Sequence, residues 1–594
     1  MRVSGDRRRS LVDVLHDRAD AKADARAYTF LDDGESEGRS LTWGALDQRA
    51  RAIGAAVAER VGRGARVLVM FPPGLEFLPA FFGTLCAGAI AVPTYPPSGR
   101  RGDRTGARLR GMIADAGISL IVAPAELRTR ASVLASLVPE LRELAWLAPE
   151  EVAGAPFRGG ERRCSDADVA LLQYTSGSTT SPRGVMVSHG NLLHNLAHSA
   201  RLAAHTDDSV AVSWLPVNHD MGLIDGLLQP AYSGFPAFLM APAAFLQRPA
   251  RWLEAVSRVR GTHSGGPNFA YDLCVRRVSA EDRASLDLRC WRIAFNGSEP
   301  IRYSTLEAFQ RAFGECGFRF SAFRPAYGLA ESTLLVTAAA EDEDPEPLTV
   351  DAGWLARGRV ATTAVGSPGS ATVVSSGSLD GISRVLIVDP VTRRQLDPDR
   401  VGEIWVAGGS VARGYWQRPE ETDATFQARL ADGSEAAFLR TGDLGFVRGG
   451  RLFVTGRIKD VLIIRGLKHY PQDLEQTAER SHAALRPGGC TAVAVPVGEG
   501  EGAAVIAEID PRSAAATGAP GPVSGEILTA IRRSIAEVHH VSLAAVALVP
   551  AGSLPKTTSG KLQRYLCREA FVARTLPVID QWQDEPDLLV RAAS

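Results

Sequence analysis

Lysine is nearly missing from this chain. Of 66 basic residues among 594, five are lysine (Lys22, Lys459, Lys468, Lys556 and Lys561), which leaves 61 arginines. Four of those five lie beyond residue 456, so the late part of the chain keeps an ammonium group where arginine is otherwise the rule. A basic surplus is missing as well. Acidic residues number 67, the net charge is −1, and the clustered excess that a nucleic-acid footprint requires is not there. The Arg7-Arg8-Arg9 run has no apolar segment after it, which excludes a secretory-signal reading. Long apolar runs are lacking. The longest uncharged stretch, Phe77 to Gly99, is apolar only as far as Val92 and is broken by Pro79, Pro93, Pro96 and Pro97. That is short of the ~20 residues a spanning helix needs. Seven cysteines lie scattered with no C-x-x-C pair, which argues against a zinc site and fits reduced thiols in the cytoplasm.

What is present is ordinary globular material, 45% hydrophobic and 22% charged. Strand-like runs at Arg66–Phe71, Ile118–Val122, Val169–Gln173, Val210–Leu215, Ala237–Met240 and Trp291–Phe295 are separated by helical lengths, among them Leu75–Gly88. Such alternation predicts an α/β fold with βαβ units and largely parallel sheets. From Val385 the strands shorten (Val385–Val388, Glu403–Val406), which predicts a small β-rich unit. Two stretches read as loops or excursions: Ala338–Ser378, rich in Ala, Gly, Ser and Thr, and Pro511–Gly525.

The most informative segment directly follows a predicted strand: Tyr174-Thr175-Ser176-Gly177-Ser178-Thr179-Thr180-Ser181-Pro182-Arg183-Gly184. Glycines let backbone approach an anion, and successive hydroxyls and amides can cradle phosphate oxygens. The same composition also makes a polar turn. It is not a Walker A loop, since no G-K-S/T closes it, and Gly560-Lys561 is followed by Leu562.

This loop resembles the phosphate loop of the acyl-adenylate-forming superfamily, T-S-G-S/T-T-G-x-P-K-G, with Thr180 for a glycine and Arg183 for the lysine. Four further segments follow in that superfamily's order: Tyr327-Gly328-Leu329-Ala330-Glu331, Arg440-Thr441-Gly442-Asp443, Gly456-Arg457-Ile458-Lys459-Asp460, and Pro555-Lys556-Thr557-Thr558-Ser559-Gly560-Lys561. A narrower likeness, to the fatty acyl-AMP ligases, is carried by Trp214 to Leu223, Gly226 to Pro230, Pro267 to Tyr271, Asn296-Gly297-Ser298-Glu299-Pro300 and Ala330 to Leu335. Asn218 and Asp225 depart from that pattern, near the expected mouth of an acyl tunnel.

The resemblance implies a large N-terminal adenylate-forming domain over residues 1–456, with a family insertion around residues 338–378 and a β-rich subdomain at about residues 380–456. Residues 457–594 are then a small mobile α+β lid. It implies ATP and Mg²⁺ as cofactors, a medium- or long-chain fatty acid as substrate, and an acyl carrier protein acting in trans. Thr175, Ser176, Gly177, Ser178, Thr179 and Arg183 would hold phosphates; Asn296, Gly297, Tyr327, Gly328, Asp443 and Arg457 the rest of the nucleotide, with Tyr327 on adenine and Asp443 on ribose. Glu331 would bind the metal, His219 would lie beside the reacting carboxylate, Lys459 would be the hinge, and Lys561 the catalytic ammonium. The apolar stretch Leu227–Met240 suits a tunnel wall, or simply a core strand and helix. His189 reads as structural, and Lys468 has no readable role.

Three rival readings share these residues: a fatty acyl-CoA synthetase, an amino-acid adenylating enzyme, and a non-catalytic lipid- or nucleotide-binding protein. The chain shows no aspartate in the usual pocket motif for a substrate amine, and it keeps Lys561, Asp443 and Glu331. A compact ammonium can donate to a carboxylate and an α-phosphate together, whereas a guanidinium is bulkier and fixed in its fork. Lys561→Ala is therefore expected to cut acyl-adenylate formation by roughly a hundredfold or more. Pyrophosphate exchange at the parent rate in that variant would remove Lys561 from the chemistry.

Overall fold

The computed structural model describes residues 10–97, 105–152, 163–174, 182–341, 343–464, 467–497, 500–509, 522–557 and 560–584. Two sheets of largely parallel strands carry the first two-thirds of the chain. One has six strands in the order Ala145–Leu147, Leu120–Val122, Arg66–Met70, Ile90–Thr94, Val169–Tyr174 and Gly184–Ser188, parallel except for the last pair. The other has eight, with His263–Gly266, Ile293–Asn296 and Phe323–Gly328 running parallel near its centre and antiparallel strands at both edges. Strands buried on both faces read as unbroken apolar runs, and Val67, Leu68, Val69 and Met70 are all fully buried.

Helices pack on these sheets with their polar ends satisfied. Ser10 caps Leu11–Lys22, and Ser188 with Asn191 forms a capping box on His189–Leu202. His189 fits its structural reading: it is buried, and its Nδ1 accepts from the Leu11 N–H at 3.2 Å. An aromatic cluster of Trp252, Tyr271, Trp291, Phe309, Phe318 and Phe323 fills one face of the eight-stranded sheet through edge-to-face contacts.

A third sheet is antiparallel, in the order Pro347–Asp351, Ser370–Ser378, Arg451–Arg457, Leu439–Arg448, Gly402–Ala407 and Arg384–Val388. Its first two strands correct the loop reading of Ala338–Ser378. Small-residue composition hid a hairpin in which Pro347 to Asp351 pair in register with Val374 to Ser370. Val350 and Val374 are buried, so the few branched residues anchor strands that are otherwise mostly small or polar. Of Pro511–Gly525, the last four residues open the helix Pro522–His539, as proline at a first turn permits, and the rest lies outside the described residues.

The C-terminal part has its own core. Strands Leu485–Val497, Gly500–Ile509, Leu543–Pro550 and Asp580–Gln583 form one sheet, with helices Pro471–Ser481, Pro522–His539 and Arg564–Val572 packed on it. Among the described residues, no helix is long and apolar enough to cross a membrane.

The central strands approach closely because Gly265 has no side chain. A Cβ there would lie 2.2 Å from the Phe295 carbonyl oxygen. Overpacking of this kind costs about 1–3 kcal/mol. Gly265→Ala is expected to lower the thermal unfolding midpoint measurably, and an unchanged midpoint would show that the two strands have room to part.

Candidate active site

In open α/β sheets ligands bind beyond the carboxyl ends of the strands. Here those ends meet the antiparallel sheet and the C-terminal part in one cleft of about 1390 Å³. Its lining includes Arg183, His219, Ser298, Tyr327, Gly328, Glu331, Asp443, Arg457, Lys459 and Lys561, so most of the residues singled out in the sequence converge. Thr175, Ser176, Gly177, Ser178 and Thr179 lie outside the described residues, but Tyr174, which leads into them, is on the lining. Gly297 lines a smaller adjoining cavity. Asn296 is fully buried, lines neither cavity, and has no hydrogen-bond partner at either end of its amide.

Three clusters make up the site. In the first, Arg183 pairs with Glu421 at 2.8 Å and its guanidinium lies 5.3 Å from the centre of the Tyr415 ring. The Tyr415 hydroxyl donates to Glu331 Oε1 at 2.8 Å. Burial lifts the Glu331 pKa above the usual carboxylate range, while the Tyr415 hydroxyl and Arg457 oppose that rise. One phenol thus joins the cation expected on phosphates to the carboxylate expected on a metal.

In the second, Asp443 accepts from the Tyr327 hydroxyl at 2.8 Å and from Arg457 Nε at 2.9 Å. The turn that carries Asp443 has Gly442 at φ +71°, a left-handed conformation glycine adopts readily. Glu403, buried beneath it, accepts from Arg440 Nε and Trp405 Nε1, each at 2.9 Å, and from the Gly442 N–H at 3.2 Å. Glu403 thereby fixes the height of the Asp443 carboxylate over the sheet.

The third brings in Lys561. Its Nζ donates to Ser298 Oγ, and the carboxylates of Glu299 and Asp220 face it. Burial lowers the pKa of this ammonium, and the two carboxylates work against that. His219 Nδ1 lies 2.7 Å from Asp220 Oδ1. Burial opposes ionisation of Asp220, but His219, Lys561 and the Met221 N–H hold its pKa below the ordinary value. The loop bearing Lys561 is set by Arg564, which forks onto Glu475 at 2.7 and 2.8 Å and reaches Asp460 at 3.3 Å. Across the cleft, Arg302 pairs with Glu479 at 3.2 Å, and Gly560 packs beneath the Phe269 ring.

Lys459 sits exposed in the turn between the strands Arg451–Arg457 and Leu462–Ile464, where few contacts restrain it. Leu227–Met240 is core rather than tunnel wall: none of it lines either cavity, and Leu227, Leu228, Ala231 and Phe235 are packed inside the main core. Its apolar residues face the helices instead of the opening. Tyr415, Glu403, Glu475 and Arg564 carried no motif; their partners are far away in sequence, 84 residues for Tyr415 and Glu331 and 89 for Arg564 and Glu475.

The AMP-binding enzyme family matches residues 15–416, and the AMP domain of the Disco-interacting protein 2-like family matches residues 459–581. This chain belongs to the AMP-binding enzymes, in the fatty acyl-AMP ligase group. It is 44% identical to the medium-chain-fatty-acid–acyl-carrier-protein ligase JamA of Moorena producens, over 97% of this chain and 96% of that one. It resembles a fatty acyl-adenylate ligase of L. pneumophila solved with acyl adenylate and pyrophosphate, with 39% identity, 97% and 98% of the two chains covered and a TM-score of 0.73. A structure from the study of fatty acyl-adenylate ligases of E. coli and L. pneumophila aligns at a TM-score of 0.85 with 31% identity over 95% of this chain and 98% of that one.

In this ligase, removing the support beneath Asp443 tests the second cluster. Glu403→Ala takes away the acceptor for Arg440, Trp405 and Gly442, each bond to a charged group being worth about 1.5–3 kcal/mol. The variant is expected to unfold earlier and to raise the KM for ATP more than that for the acid. Equal changes in both constants would mean that Glu403 does not position the nucleotide side.

Proposed function

We propose that this ligase activates a fatty acid as its acyl-adenylate and passes the acyl group to the phosphopantetheine thiol of an acyl carrier protein supplied in trans. The observation that carries the reading is the delivery of Lys561, from the far end of the chain, to Ser298 beside Asp220 and His219. In the first step a carboxylate oxygen of the acid attacks the α-phosphorus of ATP. The new P–O bond forms as the bond to the β-phosphate oxygen breaks, and pyrophosphate leaves with the electron pair. Two anions must meet, so positioning and charge stabilisation do most of the work.

Lys561 donates to the acid and to the α-phosphate, and His219 lines the approach of the carboxyl group. Asp443 takes the ribose hydroxyls; its two oxygens keep lone pairs beyond those used by Tyr327 and Arg457. Tyr327 flanks the base, and Gly328 next to it is required by the fold, since a Cβ there would lie 1.8 Å from the Leu334 carbonyl oxygen. Arg183 would hold the outer phosphates, a role the resemblance also gives to Thr175 to Thr179, which lie outside the described residues. Glu331 is a half-buried carboxylate whose side-chain partner among the described residues is Tyr415, which suits a Mg²⁺ ion bound by one or two carboxylates plus substrate phosphates. No cage of three or more His, Cys, Asp or Glu exists among the described residues. Bound there, the ion would neutralise charge on the departing pyrophosphate.

In the second step the thiolate attacks the acyl carbonyl and AMP leaves. For the thiol to enter, Lys561 has to withdraw, and the exposed Lys459 turn is the place for the rotation. The division into residues 1–456 and a lid over residues 457–594, and residence in the cytoplasm, belong to the same proposal. Carrier protein rather than CoA as acceptor is supported by the likeness to the carrier-protein ligase of Moorena producens.

Incubation with ATP, Mg²⁺ and a set of straight-chain acids, with CoA or with a holo-carrier protein, tests the reading by mass spectrometry of the products. Acyl-AMP is expected to persist in CoA and to be consumed by the holo-carrier. Abundant acyl-CoA would make the protein a CoA ligase instead.

A further inference from the structure

The helix Thr105–Ala116 lays one face against Tyr174 and Pro182, the residues that bracket positions 175–181. Arg108, Gly111 and Asp115 share that face, at the i, i+3 and i+7 spacing that stacks side chains along a helix. Arg108 Nη2 donates to the Tyr174 carbonyl oxygen at 3.1 Å, and Asp115 Oδ2 accepts from the Tyr174 hydroxyl at 2.7 Å. Gly111 meets Pro182, where a Cβ would lie 2.9 Å from the proline ring. Arg418 Nη2 bonds Asp115 Oδ1 at 2.9 Å and the Pro182 carbonyl oxygen at 3.3 Å. Tyr174 pairs with Gly184 across two strands, so the guanidinium of Arg108 is bonded to the strand pair that carries Arg183. Arg108, Tyr174 and Arg183 all line the main cleft.

The cations around these residues differ in what they face. Arg183 pairs with Glu421 at 2.8 Å, and Arg418 pairs with Asp115 at 2.9 Å and with Glu421 at 3.1 Å. Arg108 forms no ion pair among the described residues, and its side chain makes one hydrogen bond there, to the neutral Tyr174 carbonyl. Burial pulls its pKa down with no carboxylate opposing the shift. A cation held partly out of water without a counter-ion costs stability, and an anion that arrives beside it is bound more tightly for that reason.

We propose that Arg108 is a second phosphate-binding cation of the site, taking the outer phosphates of ATP and the pyrophosphate that leaves. The proposal rests on the adenylate-forming reading above and adds a residue to it. A planar guanidinium matches two phosphate oxygens with a fork of donors. With Nη2 bonded to Tyr174, the Nε and Nη1 hydrogens of Arg108 are left for a ligand. Glu421 already takes up part of the charge of Arg183, which stands where the resemblance expects a lysine, and Arg108 supplies the positive charge that is missing.

The test titrates the full-length protein with ATP, pyrophosphate and AMP, each with Mg²⁺, and reads dissociation constants by calorimetry. AMP lacks the outer phosphates and serves as the reference. Arg108→Gln keeps an amide donor for the Tyr174 carbonyl and removes the charge. It is expected to weaken ATP and pyrophosphate binding at least about tenfold and to leave AMP within about twofold. Arg108→Lys keeps the charge and is expected to recover most of the loss. Pyrophosphate bound as tightly by Arg108→Gln as by the parent would overturn the inference, as would an equal loss for AMP. Equal losses in both variants would overturn it too, since Arg108 would then act only on the position of Tyr174. A further measurement needs no variant: in the wild type, pyrophosphate is expected to protect Arg108 from phenylglyoxal in a peptide map. Equal labelling with and without pyrophosphate would overturn the inference and leave the adenylate-forming reading intact. A parent protein that binds neither ATP nor AMP would overturn both.

Discussion

The site depends on holding an ammonium group out of water at the junction of two separately folded parts. Desolvation works against Lys561, and nothing local to its loop compensates. The compensation comes from the sheet ends, where Glu299 and Asp220 face the ammonium and Ser298 accepts from it, while the fork of Arg564 onto Glu475 holds the loop from the C-terminal part. A buried charge with its partners removed is costly, so the loop that carries Lys561 is stable in this place only when both parts meet. With Lys561 in place between Glu299 and Asp220, the ammonium has its opposing charges and its hydrogen-bond acceptor at the sheet ends.

This constraint explains why charged groups that carry no motif matter. Glu403 supports the turn of Asp443, and Tyr415 connects Glu331 to the ring beneath Arg183. Each bonds a motif residue or its turn and so sets its position at the cleft. Burying such groups requires partners for every polar atom, and the partners come from strands and helices remote in the chain.

Distance along the chain also decides what the sequence could reveal. Buried strands announced themselves as apolar runs, and Arg66–Met70 and Val169–Tyr174 in a largely parallel sheet and Gly402–Ala407 in the antiparallel one fall within a residue or two of expectation. Motif residues were legible through the resemblance to the acyl-adenylate-forming superfamily, and most of them converge on one cleft. The hairpin Pro347–Asp351 with Ser370–Ser378 was not, since two or three valines hold it and the rest looks like a loop. For Leu227–Met240 the sequence left tunnel wall and core both open, because hydrophobicity shows that a segment is buried but not which space it faces; Leu227, Leu228, Ala231 and Phe235 are in the main core. Glu403 and Tyr415 had no signal at all, because a single buried Glu or Tyr acquires its role only from a partner that the fold brings to it.

The chain's preference for arginine follows from geometry at two cations. Arg183 lies between the Glu421 carboxylate and the Tyr415 ring, with 29% of its side chain exposed. A flat guanidinium suits that slot: it stacks on the ring while its edge bonds the carboxylate and leaves other donors facing the cleft. Lys561 meets a different demand. Its nitrogen approaches a hydroxyl end-on between two carboxylates, in a narrow junction where a fork has no second surface to match. At these two positions the arginine sits where a ring and a carboxylate are offered, and the lysine where the target is a single hydroxyl.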